Sequence, residues 1–218
     1  MDHDTIRNSG STRSVTQPGA TGLLGRLRTA TRPAHQALEQ HPILRPLPGP
    51  ALTDTDYLRV LTAFADFYRI LEPSLLDELT KLVDKQDTAY RYQPRWPLLR
   101  DDLRDLHTVT SGNPPEIPNL PSICDTSTLL GVMYVLEGAT QGGRIIAPNL
   151  ANTLGLNATC GARYFHLYRQ GMWQHFKVLL AGYDRRVNNT AATHSAIQVF
   201  DALYLHLDHY PPPNRSRP

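Results

Sequence analysis

The sequence predicts an all-α protein, a single-domain multi-helix bundle. Apolar residues recur at three- and four-residue steps along most of the chain, and no stretch alternates apolar and polar residues over a useful strand length. At 218 residues the chain is long enough to bury one sizeable core. The net charge of +2, without a long Lys/Arg run, argues against a nucleic-acid partner. Two cysteines, Cys124 and Cys160, make no disulfide framework and fit a reducing cytoplasm. No apolar run approaches the roughly 20 residues of a membrane span, and the first twenty residues lack the apolar core of a secretion signal. A cytoplasmic protein with no membrane partner is the expectation.

Residues 1–20, polar and rich in Gly, Ser and Thr, are expected to be a disordered arm, residues 21–210 the helical domain, and residues 211–218 a disordered tail. The first helix is expected over residues 21–41, where Leu23, Leu27, Ala34, Leu38 and Ile43 trace one face. Thr31 and His35 follow Leu27 at four-residue steps, so His35 points inward. Pro33 lacks an N–H and crowds the preceding turn, which predicts a kink or restart near Arg32. An inward histidine is more often a packed core residue than a ligand, and this segment alone leaves both readings open.

The segment PLPGPALTDTDY is a turn-rich link in which Thr53 caps the next helix, with acids in its first turn. Tyr57, Val60, Leu61, Phe64, Phe67, Tyr68 and Leu71 keep helical spacing, and Pro73 is expected to start a separate helical piece. Pro94 and Pro97 make YRYQPRWP extended. A short helix then carries Leu98, Leu99, Leu103 and Leu106, with the charges of RDDLRD as a solvated face and His107 at its C-terminal end. Residues 108–122 form a surface loop.

Residues 129–150, LLGVMYVLEGATQGGRIIAPNL, are the unusual stretch. Leu129 to Leu136 reads as a core helix, and then Gly138, Gly142 and Gly143 fall within six residues. A glycine inside a helix costs roughly 1 kcal/mol relative to alanine, so the cluster needs a compensating reason. A bent helix is expected here, and the glycines serve either tight helix packing or the close approach of something flat and large. Residues 161–183 read as an aromatic-rich helix with Phe165, Tyr168, Met172, Trp173 and Phe176 on one broad face and Arg163, Arg169 and Lys177 as cations. The last helix runs from about Thr190 to Leu207.

The chain has no CxxC, HExxH, GxSxG or phosphate-loop motif. His206 and His209 stand at i, i+3, too few ligands for a tight metal site, and a frayed helix end is expected there. His166 and His175 pair with no obvious carboxylate. One constellation uses the odd features together. An inward neutral imidazole can ligate an iron porphyrin, glycines let a helix lie close over the ring's other face, and nearby cations can pair with the ring's carboxylates.

The segment TATRPAHQALEQHPIL resembles the proximal-helix motif of heme oxygenases, and YVLEGATQGGRIIAP resembles the distal glycine helix of bacterial members, including those associated with bacteriophytochromes. GARYFHLYRQGMW is similar to the helix that follows, so the resemblance spans residues 21–182. It implies an enzyme that opens heme with molecular oxygen and an external reductant, such as a ferredoxin or flavin reductase, to biliverdin, carbon monoxide and ferrous iron. It makes His35 the iron ligand and Gly138, Gly142 and Gly143 the distal glycines. Arg28 lies seven residues before His35 and matches in charge the propionate-pairing lysine of mammalian members, with Tyr164, Tyr168 and Arg169 as further heme contacts. Ala139 departs from those members, which place an aspartate there to anchor a water network. A non-catalytic heme carrier or sensor on the same scaffold is the alternative that Ala139 favours, and a thiaminase-type all-α enzyme without heme is a second one.

Overall fold

The computed structural model describes residues 22–83, 89–108 and 112–211, so the arm 1–20 and all of the tail after Pro211 lie outside the described residues. Seven α-helices carry the fold: α1 (Leu23–Glu39), α2 (Asp54–Val83), α3 (Trp96–Asp105), α4 (Thr126–Ala139), α5 (Gly143–Leu154), α6 (Met172–Tyr183) and α7 (Asn189–Leu207). Thr140–Gly142 and Tyr164–Gln170 are 3-10 turns. No strand occurs among the described residues, only isolated bridges from Asn157 to Cys160 and to Gly161. None of these helices is long and apolar enough to cross a membrane.

Two prolines expected to interrupt helices do not. α1 continues through Pro33, and α2 is one helix through Pro73. Pro33 and Thr29, whose carbonyl loses its helical donor, are both exposed, so water can take the missing bond. Pro73 also lies on the solvent side, while Leu71, Leu75 and Leu79 continue the buried stripe past it. Burying each of these leucines contributes about 1.5–3 kcal/mol, together more than the roughly 3 kcal/mol an interior proline costs.

The two halves of the bundle are joined by close backbone approaches. α4 begins with a capping box between Asp125 and Thr128 and packs along α7. Gly131 permits that crossing, since a Cβ there would collide with the Ala192 carbonyl oxygen, and Ser195 Oγ donates to the Thr128 carbonyl at 3.0 Å. The expected single helix over 161–183 is instead a 3-10 turn and α6, broken at Gly171, whose φ of 69° is left-handed.

The RDDLRD charges are not a uniformly solvated face. Asp102 is fully buried, and its carboxylate accepts the backbone N–H groups of Arg163 (2.9 Å) and Tyr164 (3.0 Å), capping the 3-10 turn. Burial raises the Asp102 pKa, opposed by these two backbone bonds and the Arg163 guanidinium. Asp105 binds the same guanidinium and accepts from the Gly161 N–H.

The end of α7 is not frayed either. His206 is fully buried and its Nε2 donates to the Ala63 carbonyl on α2 at 2.9 Å, while His209 Nδ1 lies 3.3 Å from the His206 carbonyl. No group of three metal-ligating side chains occurs among the described residues. Burial holds the His206 pKa below its ordinary value, because the charged ring is disfavoured there. A depressed histidine contributes stability that is complete above its unfolded pKa of about 6.5 and is lost as pH falls through the folded value. We expect wild-type stability to decline as pH falls below about 6.5. In His206→Gln, which keeps an N–H donor without titrating, that decline should be shallower; equal slopes in denaturant titrations would remove His206 as the cause.

Candidate functional site

α1 and the segment after it form one wall of a cavity of about 440 Å³, and the junction of α4 and α5 at the 3-10 turn forms another. This volume suits a cofactor-sized ligand. Phe64, Phe67, Phe165, Val199 and Leu203 line it further, so its surface is mainly apolar. The segment from His41 to Leu52 is held in place by three anchors. His41 is buried, accepts the Ile43 N–H at Nδ1 (3.3 Å) and reaches Asp208 through Nε2 (3.2 Å). Asn149 on α5 donates from Nδ2 to the carbonyls of Leu47 (2.8 Å) and Gly49 (2.9 Å), and Ile43, Leu47 and Leu52 enter the core.

His35 stands on the cavity rather than within packed core, and its side chain is 55% exposed. Its ring meets Phe200 edge-on at 5.7 Å, and its Nδ1 lies 3.4 Å from Glu39 Oε1, one turn on. Glu39 favours a proton on Nδ1, which leaves the lone pair on Nε2. That Nε2 has no protein partner among the described residues.

The three glycines divide by function. Gly138 and Gly142 line the cavity, and a Cβ would meet only Trp173 at 4.0 Å from the first and Ile146 Cδ1 at 3.7 Å from the second. Gly143 does not line the cavity. A Cβ on Gly143 would collide with the Phe165 carbonyl oxygen and stand 2.8 Å from Tyr168 Cδ1. Its lack of a side chain lets α5 press against the 3-10 turn that delivers Tyr164 and Phe165 to the cavity.

The expected cations are elsewhere. Arg28 is exposed and off the cavity. Arg169 is exposed and donates from Nε to the Tyr168 hydroxyl at 3.2 Å. The Tyr168 ring lies within reach of two guanidiniums, Arg144 (5.3 Å) and Arg169 (5.8 Å), and does not line the cavity. Tyr164 does line it, with its hydroxyl 3.1 Å from that of Tyr68. Sequence reasoning missed Arg45, the one cation on the cavity among the described residues. Its only sequence signal is a charge inside an apolar, proline-stiffened run, ILRPLP. It also missed Tyr68, which reads as an ordinary core position, and Glu137, whose buried carboxylate binds Arg95 at 2.6 Å behind the bend.

The division among the glycines is testable without a ligand. Gly143→Ala is expected to destabilise by about 1–3 kcal/mol, the usual cost of overpacking, while Gly142→Ala should be neutral or slightly stabilising. Thermal melts of the two variants check it; equal melting temperatures would contradict the assignment.

Comparison with known proteins adds to this geometry. Over 168 aligned residues the chain is 30% identical to a heme oxygenase of Xanthomonas campestris pv. campestris, covering 72% of this chain and 90% of that protein. The fold is similar to the NO- and CO-bound heme oxygenase of Neisseria meningitidis, with TM-score 0.70 and 21% identity over 88% of this chain and 92% of that one. It is also similar to the heme oxygenase of Leptospira interrogans, with TM-score 0.69 and 22% identity over 87% of this chain and 100% of the other. No family model matches the chain. The two structures speak for the shared all-α fold, and the extent of the sequence match speaks for descent: this chain belongs to the heme oxygenase family.

Proposed function

We propose that this protein opens heme to biliverdin, carbon monoxide and ferrous iron, taking oxygen and electrons from outside, the latter from a donor such as a ferredoxin or flavin reductase. One observation carries the reading. His35 offers an unpartnered Nε2 on the same cavity into which Gly138 and Gly142 present bare backbone. A ligating nitrogen, a wall without side chains and an apolar slot suit a flat metalloporphyrin. Heme is the substrate, and when bound its iron also supplies the oxygen-activating chemistry.

The chain's own residues have few tasks. His35 Nε2 would hold the iron of a bound heme, and Glu39 fixes the imidazole's tautomer through Nδ1. Gly138 and Gly142 would leave room for a flat ring at their wall of the cavity. Phe64, Phe67, Phe165 and Leu136 would pack against a bound ring and exclude bulk water from it. Arg45 is the cation placed to pair with a propionate, held by a segment that Asn149 and His41 anchor. Its position therefore bears on which edge of the ring is presented for attack. Tyr164 contributes a hydroxyl to the cavity, whereas Arg28, Tyr168 and Arg169 lie outside its lining.

Adding heme to the purified protein should give a histidine-ligated Soret spectrum, and His35→Ala should lose it while the melting temperature changes little. A folded His35→Ala protein with an unchanged ferrous–CO spectrum would refute the ligand assignment. Arg45→Ala should loosen heme several-fold, since a partly exposed ion pair is worth at most about 1 kcal/mol. It should also change the mixture of biliverdin isomers, while Arg28→Ala leaves both affinity and mixture as they are. Measured heme affinities and product chromatography separate the two arginines.

A further inference from the structure

Residues 41–52 connect α1 to α2 and carry Leu44, Arg45, Leu47 and Pro48 on the cavity. Four of these twelve residues are prolines, which lack an N–H, so the strap can tie down few of its own carbonyls. Its first half closes on itself: the backbone N–H groups of Leu44 and Arg45 both donate to the His41 carbonyl at 2.9 Å. Its second half closes poorly. The residue three past Leu47, whose N–H would complete a turn on the Leu47 carbonyl, is Pro50. From within the strap the Gly49 carbonyl receives one long bond, 3.4 Å from the Leu52 N–H.

Asn149 supplies what the strap lacks. Its amide carries two hydrogens, and both are used there, on the carbonyls of Leu47 (2.8 Å) and Gly49 (2.9 Å). Among the described residues these are the only hydrogen bonds between the strap and α5. One turn before Asn149, Ile145 and Ile146 line the cavity, and α5 follows directly on Gly142. The strap is therefore tied to two walls by different means. Its first half joins the wall that carries His35, through chain continuity and the bonds to the His41 carbonyl. Asn149 alone hydrogen-bonds it to the helix that continues the glycine wall. Arg45 lies between the two tethers, exposed on the cavity and without a carboxylate partner among the described residues.

We propose that Asn149 is a positioning residue for heme: by tying the strap to α5 it fixes the place of Arg45 relative to the glycine wall, and so decides how firmly, and in which rotation about the iron, the ring is held. The inference rests on the heme reading above, in which Arg45 meets a propionate. Asn149 does not line the cavity, so it acts through Arg45 and not on the ring itself. His35 does not depend on it, because α1 carries that imidazole whether or not the strap is tied.

The test is a double-mutant cycle on heme release, followed as transfer of heme from the ferric complex to excess apomyoglobin. Asn149→Ala should keep a histidine-ligated Soret band and release heme several-fold faster than wild type. Because the effect runs through Arg45, the Asn149→Ala, Arg45→Ala double variant should release heme no faster than Arg45→Ala alone. A general loosening of the fold would instead add to the loss of Arg45. The biliverdin isomers from Asn149→Ala should shift in the same direction as those from Arg45→Ala. If Asn149→Ala does not fold, Asn149→Asp, which keeps the size and replaces the donor by an acceptor, takes its place in the same cycle. With a normal wild-type Soret band, an unchanged release rate in the Asn149 variant, or additive effects in the double variant, would overturn this proposal alone. A wild-type protein without a Soret band would overturn the heme reading, and this proposal with it.

Discussion

The contact between Gly143 and the Phe165 carbonyl is the constraint on which the site depends. Because no side chain intervenes, α5 closes directly on the 3-10 turn Tyr164–Gln170. Gly138 and Gly142 line the cavity beside this closure, and the same 3-10 turn brings Tyr164 and Phe165 to it. Any side chain at 143 has to push against rigid backbone, which yields far less readily than the tip of a flexible side chain.

Buried charge holds the other parts in register. Arg95 with Glu137 fastens the segment before α3 to the end of α4, and Asp102 with Arg163 fastens α3 to the 3-10 turn. Such pairs add little net stability over well-packed apolar residues, but removing one partner leaves an uncompensated charge costing about 3–5 kcal/mol. Their effect is to penalise alternative packings of a bundle whose apolar faces could slide. The second pair stands at the start of the 3-10 turn that carries Tyr164 and Phe165, so it also supports that wall of the cavity.

Much of this was legible in the sequence. The 3–4 spacing located the main helices, and the glycine cluster falls where α4 passes through a 3-10 turn into α5. His35 and the glycines could be linked to one ligand through their resemblance to heme oxygenases. The misreadings have a common cause, because exposure is a tertiary property. Pro33 and Pro73 break helices by local rules, and they are tolerated because they face solvent. The acids of RDDLRD look alike along the chain, yet Asp102 meets two unpaired backbone donors from 61 and 62 residues away. Gly142 and Gly143 are neighbours whose side-chain directions differ by about 100° on a helix, so one opens to the cavity and the other to a neighbouring backbone. Arg45 was hidden in a link with no periodicity to orient it.

The proposed role of the cavity is to consume heme and not merely to hold it. The most direct measurement is a single turnover of the wild-type heme complex with reductant and air, in the presence of catalase to remove free peroxide. The account predicts that the Soret band disappears and biliverdin is recovered. A heme spectrum that persists through the same treatment would contradict it and make the protein a heme binder without the chemistry of its family.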